Sequence, residues 1–240
     1  MGEDLDVYRK LNMIFNNASS LELGIDIIKR YDIPSPKKRI KSISATGRDG
    51  NEYEEDGYDD IEITLDFNFI SENPHQAFRR CKRWFNCILD NKLIFLDNPN
   101  IFYRVNYAVV TESTRDVGID FFTVTLNCEP FAYEMEGQEE ILINNAAVIY
   151  NAGDLESKPI IKIQGEGLIT IKINDETIKA NVGQEIIIDS YLGLSYKADK
   201  TPQNNNIKGK YPRLKLGENT ISYSGGRVDR FVIIPNWTIY

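Results

Sequence analysis

Histidine and cysteine are both scarce in this sequence. Its 240 residues include one histidine, His75, and three cysteines, Cys81, Cys87 and Cys128. An odd, sparse set of cysteines without a Cys-x-x-Cys pair does not form a disulfide framework, so we expect reduced thiols. A histidine-based zinc site lacks its ligands, and a Ser-His-Asp or Cys-His site would depend on His75 alone. We therefore predict neither a metal site nor a catalytic centre of these kinds.

Excess positive charge and long apolar runs are missing as well. Lysine and arginine number 28 against 36 aspartate and glutamate residues, which gives a net charge of −8. A nucleic-acid reader needs a basic stripe, so this balance argues against sequence-specific nucleic-acid binding. The longest apolar runs, such as residues 231–235, are far too short to span a membrane. The first residues also lack the basic and apolar regions of a signal peptide, and we expect none.

Alternating apolar and polar residues predict strands in the first part of the chain. The clearest pattern is IEITLDFNFI at residues 61–70, and a weaker one, RIKSISAT at residues 39–46, is typical of an exposed strand. Between them lies GRDGNEYEEDG, residues 47–57, which is rich in turn formers and acids. Together these segments predict a long hairpin with an acidic tip.

One helix is predicted directly after this hairpin. Asn73 is a suitable N-cap and Pro74 suits the first helical position. Apolar residues then recur at three- and four-residue spacing from Ala77 to Ile88. The opposite side is basic and contains Arg79, Arg80, Lys82 and Arg83. We interpret this side as a solvated helix face, with contact to an acidic partner surface as the alternative.

The second part of the chain predicts almost only strands. Seven short apolar segments follow residue 158, separated by turn residues such as Gly165, Gly167, Gly183 and Gly217. This spacing is typical of a β-sandwich or jelly roll. Residues 211–226, YPRLKLGENTISYSGG, predict a hairpin corner at Gly217 and Asn219 and carry no nucleophile, base or phosphate-binding loop. We predict a mainly β fold with domains at residues 1–135 and 136–240.

Two places are candidates for contact with a partner or ligand. The first is the hairpin tip, with Arg48, Asp49, Glu52, Glu54, Glu55 and Asp56. A calcium loop of the EF-hand type starting at Asp49 would require an oxygen ligand at Tyr53 and glycine at Glu54, so we interpret the tip as solvated charge. The second is Trp237, which could stack on a sugar if exposed, or could cover the core from an edge strand.

The order of these features resembles the distal tail proteins of phages. The similar segments include MIFNNASSLELGIDI, GRDG, IEITLDFNF, the helix with Trp84, FFTVTLNCEPFAYE and, at the end, VIIPNWTIY. Distal tail proteins are the baseplate hub subunits of siphophages that infect Gram-positive bacteria. Asn17 stands where that family usually has the glycine of an FNG segment. The resemblance runs over nearly the whole chain.

This resemblance implies a structural protein without catalytic residues or a cofactor. It implies a β-barrel-like N-terminal domain that forms a homo-hexameric ring, continues the tail tube and docks the tail-associated lysin or tip protein. It also implies a galectin-like C-terminal sandwich that carries receptor-binding proteins and could touch cell-wall glycan. The protein would be made in the bacterial host cytoplasm and reside at the virion tail tip. In such a ring, the acidic hairpin would line the channel or grip the end of the tube.

Three alternatives stay open at this point. Related subunits occur in contractile tails and tail-like bacteriocins. A carbohydrate-binding adhesin without catalysis would use the second domain as its sugar platform. A glycan hydrolase would need paired carboxylates in a cleft, and nothing in the sequence marks a cleft.

Overall fold

The computed structural model describes residues 11–44, 46–47 and 49–240. The chain divides into two compact units, one ending at Ala132 and the other spanning Tyr133–Tyr240. The described residues are mainly β strand with one long helix, which confirms the predicted fold class. No described helix has the length and apolar character to cross a membrane.

The described residues of the first unit form one large sheet, one helix and a separate hairpin. Its elements are β1 (Met13–Phe15), β2 (Ala18–Ser19), β3 (Ile25–Ile27), β4 (Lys38–Ile43), β5 (Glu52–Tyr58), β6 (Ile61–Phe69), α1 (Pro74–Asn86), β7 (Lys92–Phe95), β8 (Ile101–Val110), β9 (Thr114–Asp116) and β10 (Ile119–Glu134). The large sheet has the order β2-β1-β7-β8-β10-β6-β3, and β9 also pairs with β10. Strands β4 and β5 pair with each other to form the separate hairpin.

The alternating pattern of β6 places one of its faces in the core. Ile61, Ile63, Leu65, Phe67 and Phe69 are all buried, whereas the residues between them are exposed or half-buried. Strand β6 pairs with β10 over its full length. The strand predicted for these residues is therefore confirmed, because a two-residue period puts every second side chain on the same face.

Helix α1 begins and packs as its sequence predicts. The side-chain oxygen of Asn73 accepts a hydrogen bond from the amide of Gln76 at 3.1 Å, and Pro74 occupies the first helical position. Trp84 and Phe85 lie on the buried face, and Phe85 is completely inaccessible to solvent. The Trp84 indole donates to the carbonyl oxygen of Phe15 at 2.8 Å. This bond fastens the helix to strand β1.

The turn between β1 and β2 is built from two asparagines. Phe15 and Ala18 are partners across the strands, and both Asn16 (φ 50°) and Asn17 (φ 61°) adopt left-handed backbone conformations. Asparagine tolerates this region better than other non-glycine residues. Asn17 therefore adopts the positive φ that the glycine of an FNG segment would adopt.

The Asn16 side chain holds the end of helix α1. Its Nδ2 donates to the carbonyl oxygens of Trp84 (2.9 Å) and Cys87 (2.7 Å). Its Oδ1 accepts from the amides of Leu89 (2.7 Å) and Asp90 (3.1 Å). Because the last carbonyls of a helix have no partner inside it, a side chain that binds them stabilises the helix end.

The second unit is dominated by one sheet. The strands of this sheet are β11 (Ile141–Leu142), β12 (Ala146–Asn151), β13 (Ile160–Ile173), β14 (Glu176–Asp189), β15 (Leu194–Tyr196), β16 (Ile207–Lys208), β17 (Gly217–Ser224) and β18 (Arg227–Ile234), and the short strand β19 (Thr238–Ile239) lies outside it. Strands β13 and β14 pair along their entire length. Their inward side chains form a core rich in isoleucine, to which β17 and β18 contribute Ile221, Phe231 and Ile233.

Several predicted boundaries in this unit were wrong. Gly165 and Gly167 lie inside β13, and Gly183 lies inside β14, so these glycines do not separate short strands. The pairing of β13 with β18 shifts register between Gln164 and Gly165, and a Cβ at Gly165 would lie 2.1 Å from the carbonyl oxygen of Arg227. Glycine is required here by the close approach of two strands at a bulge.

The hairpin predicted around Gly217 and Asn219 was also wrong, although Gly217 has the expected positive φ (78°). Strand β17 pairs with residues 170–173 of β13, and β18 pairs with residues 160–166 of the same strand. They are thus consecutive parts of one bent strand, interrupted at Gly225 and Gly226, where a Cβ would lie 2.7 Å from a carbonyl oxygen of β13 in each case. Asn219 instead closes a local loop through bonds of its side-chain amide to Lys215.

Candidate assembly surface

The β4–β5 hairpin, Lys38–Ile43 with Glu52–Tyr58, projects no side chain into a core. All six residues of β4 are exposed, as are six of the seven residues of β5. Ile43 lies opposite Glu52, and Ile40 lies opposite Glu55. Neither strand pairs with any other strand in the described part of the chain. The hairpin therefore has two free edges, and free edges are templates for pairing with another chain.

The acidic residues of the predicted tip lie along one strand. Glu52, Glu54, Glu55 and Asp56 all belong to β5. Asp49 lies in the connection before it, and Arg48 lies outside the described residues. Since side chains alternate along a strand, Glu52 and Glu54 share one face and Tyr53 and Glu55 share the other. The sequence located the acids but not their arrangement on one edge of the hairpin.

The opposite strand, β4, carries the cations. The Lys38 ammonium forms an ion pair with the Glu55 carboxylate. Arg39 donates to the carbonyl oxygen of Asp56 at 3.0 Å and lies 3.8 Å from the carboxylate of Asp59. All of these charged side chains are more than one-third exposed. Exposed ion pairs contribute little to stability, so these contacts orient the hairpin more than they stabilise it.

A second exposed apolar surface lies on the large sheet of the first unit. Strand β8 pairs with β7 only at Tyr103 and Arg104. Farther along β8, Tyr107 and Val109 are 53% and 54% exposed, and Val117 in the β9–β10 turn is 94% exposed. Tyr107 and Val109 lie two residues apart on β8 and so share one face of the strand, where they offer apolar area for contact. The sequence pattern predicts these strands, but it does not show which of them lack a neighbouring strand along part of their length.

Trp237 belongs to the core of the second unit. Its side chain is 6% exposed, and a Cβ added to Gly137 would lie within 3.0 Å of Trp237 atoms. Its carbonyl oxygen accepts from the amide of Glu134 at 3.1 Å. A ring enclosed in this way cannot stack on a sugar, so the glycan contact predicted at Trp237 has no support in the structure. Trp237 instead covers the core of the second unit, which is the alternative role considered for it.

An open cleft in the first unit is lined by Tyr31, Phe95, Asp97 and Tyr103. Tyr31 stacks on Phe95 with 3.7 Å between ring centroids, and its hydroxyl donates to the Asp97 carboxylate. Burial, followed by this hydrogen bond, raises the pKa of Tyr31 above the ordinary value. The phenol therefore stays protonated at neutral pH and cannot act as a base there.

The buried thiols are equally unsuited to nucleophilic chemistry. Burial raises the pKa of Cys81 to about 11 and that of Cys128 to about 12. Since the thiolate is the reactive form, both side chains are inert at neutral pH. No group of three or more histidine, cysteine, aspartate or glutamate residues in the described ranges is arranged to hold a metal ion.

Comparisons with known proteins identify the first unit. Residues 18–128 match the family model of the phage tail protein RIFT-related domain. Residues 18–128 are thus similar to the RIFT-related domain of phage tail proteins. Those residues include β2 to β9, helix α1, the β4–β5 hairpin and most of β10. None of the curated proteins matches the chain.

A solved structure extends the likeness in fold to 92% of the chain. The fold is similar to that of the Dit protein (gp 19.1) of phage SPP1, described as a paradigm of hub adsorption apparatus in phages that infect Gram-positive bacteria. The TM-score is 0.62 at 14% identity, with 92% of this chain and 96% of that chain covered. A weaker likeness, with a TM-score of 0.47 at 10% identity, links it to the phage P2 baseplate in its activated conformation with calcium; 92% of this chain and 97% of that chain are covered. The resemblance to distal tail proteins is confirmed.

Proposed function

We propose that this chain is a baseplate hub subunit of a phage tail tip, which acts without catalysis and without a cofactor. The observation that carries the proposal is the likeness in fold to SPP1 Dit, which extends over 92% of this chain and 96% of that one. The phage tail domain at residues 18–128 supports the same role independently. The protonated side chains of buried Cys81 and Cys128 and of half-buried Tyr31 favour a structural role over a chemical one.

The proposed assembly is a ring of six copies built by the N-terminal domain, residues 1–135. A ring repeats one heterologous interface until it closes, and permanent interfaces of this kind bury about 2,000 Å² or more. The two free edges of the β4–β5 hairpin and the exposed outer half of β8 supply surfaces for such an interface. Native mass spectrometry of the purified protein, alone and with a tail tube protein, tests this proposal. Monomers in both samples at high concentration would contradict it.

The ring would join several partners at the tail tip. We place a tail tube protein on one side and a tail-associated lysin or tip protein on the other. For residues 136–240 we propose a galectin-like sandwich that carries a receptor-binding protein, with cell-wall glycan as a further candidate partner. The protein would be made in the bacterial host cytoplasm and act in the virion.

The β4–β5 hairpin would line the channel or contact the end of the tube. Its acidic strand would keep the genome from adhering, since like charges repel across an aqueous channel. We expect Glu54→Lys with Glu55→Lys to impair tail assembly or genome ejection. Glu176→Lys with Glu218→Lys, an equal change of charge at exposed positions of the second unit, serves as the control. Full infectivity of the hairpin variant would refute this role.

A further inference from the structure

The two edges of the β4–β5 hairpin carry opposite charge. Strand β4 reads KRIKSI, with three cations and no acid, and β5 reads EYEEDGY, with four acids and no cation. We propose that the basic edge of one copy pairs with the acidic edge of the next copy, which sets the direction of the ring. This inference rests on the proposed ring assembly and names the contact that gives it polarity.

The separation of charge is not needed within one hairpin. Lys41 lies directly opposite Glu54, and Lys38 forms its ion pair with Glu55. A cross-strand pair contributes the same attraction whichever strand carries the lysine. Cations and acids mixed on both strands would therefore stabilise the hairpin equally well. The sorting of charge onto separate strands matters only to a second molecule, because such a molecule contacts one edge of the hairpin and not the other.

Sorted charge permits one kind of edge contact and opposes the others. Charges on edge strands normally prevent association, because the same charges meet when two copies pair. Here β4 against β4 and β5 against β5 bring like charges together, but β4 against β5 of another copy brings unlike charges together. The excluded contacts are isologous and would give closed pairs. The permitted contact is heterologous, and heterologous contacts generate rings.

Exposed apolar side chains add area to this contact. Ile40 and Tyr53 are 58% and 68% exposed. Their cross-strand partners, Glu55 and Ser42, show that they lie on the same face of the hairpin. A strand added at either edge would cover part of one of these side chains. The favoured partner is therefore a second copy of this hairpin, because charge and apolar surface match on both edges.

An edge-exchange variant tests the proposal. It combines Lys38→Glu, Arg39→Glu and Lys41→Glu on β4 with Glu52→Lys, Glu54→Lys and Glu55→Lys on β5. Because both strands change sign, attraction across the hairpin is retained. We expect the variant to form rings with itself, as the wild type does. We expect mixed rings with the wild type to be absent or rare, because two or more reversed pairs would weaken contact between unlike copies by about tenfold or more.

Native mass spectrometry of a mixture reads the outcome, since the two chains differ in mass. Separate wild-type and variant rings support the proposal. Rings that contain both chains in random proportion overturn it, as does a folded variant that stays monomeric. If the wild type itself forms no ring with or without a tail tube protein, the proposed function fails and this inference falls with it. If the wild type forms rings and mixes freely, only the hairpin inference fails.

Two single-edge variants provide a second measurement. One carries only the three β4 changes and the other only the three β5 changes, so each has two edges of like charge. We expect each alone to remain monomeric and their mixture to form rings with equal numbers of both chains. Rings of either variant alone would overturn the proposal. Unchanged Trp84 emission in each variant, measured in a Trp237→Phe background, checks that the core of the first unit is folded.

Discussion

Replacement of Asn16 by alanine is the sharpest test of how the first unit is held together. The Asn16 amide makes four hydrogen bonds to the end of helix α1 and the residues that follow it. Its backbone has φ 50°, in the left-handed region. Alanine removes all four bonds and also strains the turn. Asn17 has φ 61° but makes no hydrogen bond through its side chain to the described residues, so it supplies a matched control.

The two effects have different magnitudes. A net contribution of about 0.5–1 kcal/mol for each partly exposed bond gives a loss of roughly 2–4 kcal/mol. The left-handed backbone costs alanine about 1 kcal/mol more than asparagine. We therefore expect Asn16→Ala to lower the free energy of unfolding of the first unit by about 3–5 kcal/mol, and Asn17→Ala by about 1 kcal/mol. Asn16→Gly, which relieves the strain but lacks the bonds, should lie between them.

Urea unfolding measured through Trp84 fluorescence gives these values. The chain has two tryptophans, Trp84 in the first unit and Trp237 in the second, so a Trp237→Phe background isolates the signal. Equal losses for Asn16→Ala and Asn17→Ala would show that the four bonds contribute nothing. A smaller loss for Asn16→Ala than for Asn16→Gly would refute the assigned backbone strain.

Two further predictions concern the same unit. Val117 and Gly118 form a two-residue turn with φ of 46° and 84°. A turn of this kind favours asparagine at its first position, where Val117 is 94% exposed. Val117→Asn should therefore stabilise the unit by about 1 kcal/mol and raise its Tm by about 2–4 °C in calorimetry; an unchanged Tm would contradict this. Hydrogen bonds from Lys29 and Thr123 hold the pKa of Asp66 below its ordinary value, so its stabilisation is complete above the usual carboxylate range and is lost as pH falls through the lowered pKa. Asp66→Asn should flatten the acid dependence of urea unfolding, and identical slopes for both proteins would exclude this role.

Secondary structure was predicted most accurately from the sequence where it depends on residues close together in the chain. The alternation in β6 and the Asn73–Pro74 start of helix α1 depend on neighbours along the chain, and both were confirmed. The glycines of the second unit were misinterpreted for the opposite reason. Gly165 and Gly167 were expected to separate two short strands, but they lie inside β13 where β18 approaches it closely. A glycine required by a close approach and one required by a turn are identical in sequence.

The candidate surface was predicted only in part for a similar reason. Acid density at residues 49–56 is visible in the sequence, but the register that places Lys41 opposite Glu54 is not. The burial of Trp237 likewise depends on Gly137, a hundred residues earlier in the chain, since glycine there leaves space for the indole. The register of the hairpin and the burial of Trp237 both depend on contacts between residues that are far apart in the sequence.

The weak internal support of the β4–β5 hairpin connects its structure to assembly. A two-stranded hairpin is marginally stable in water, and this one buries none of its residues. At its base, the amide of Asp59 donates to the carbonyl oxygen of Lys37 at 2.8 Å, and the Tyr58 ring contacts Phe131 with 4.9 Å between centroids. The exposed ion pairs of Lys38 with Glu55 and of Arg39 with Asp59 add little to its stability. A strand from a neighbouring copy on each edge would turn it into part of a larger sheet, so order in the hairpin and closure of the ring would stabilise each other.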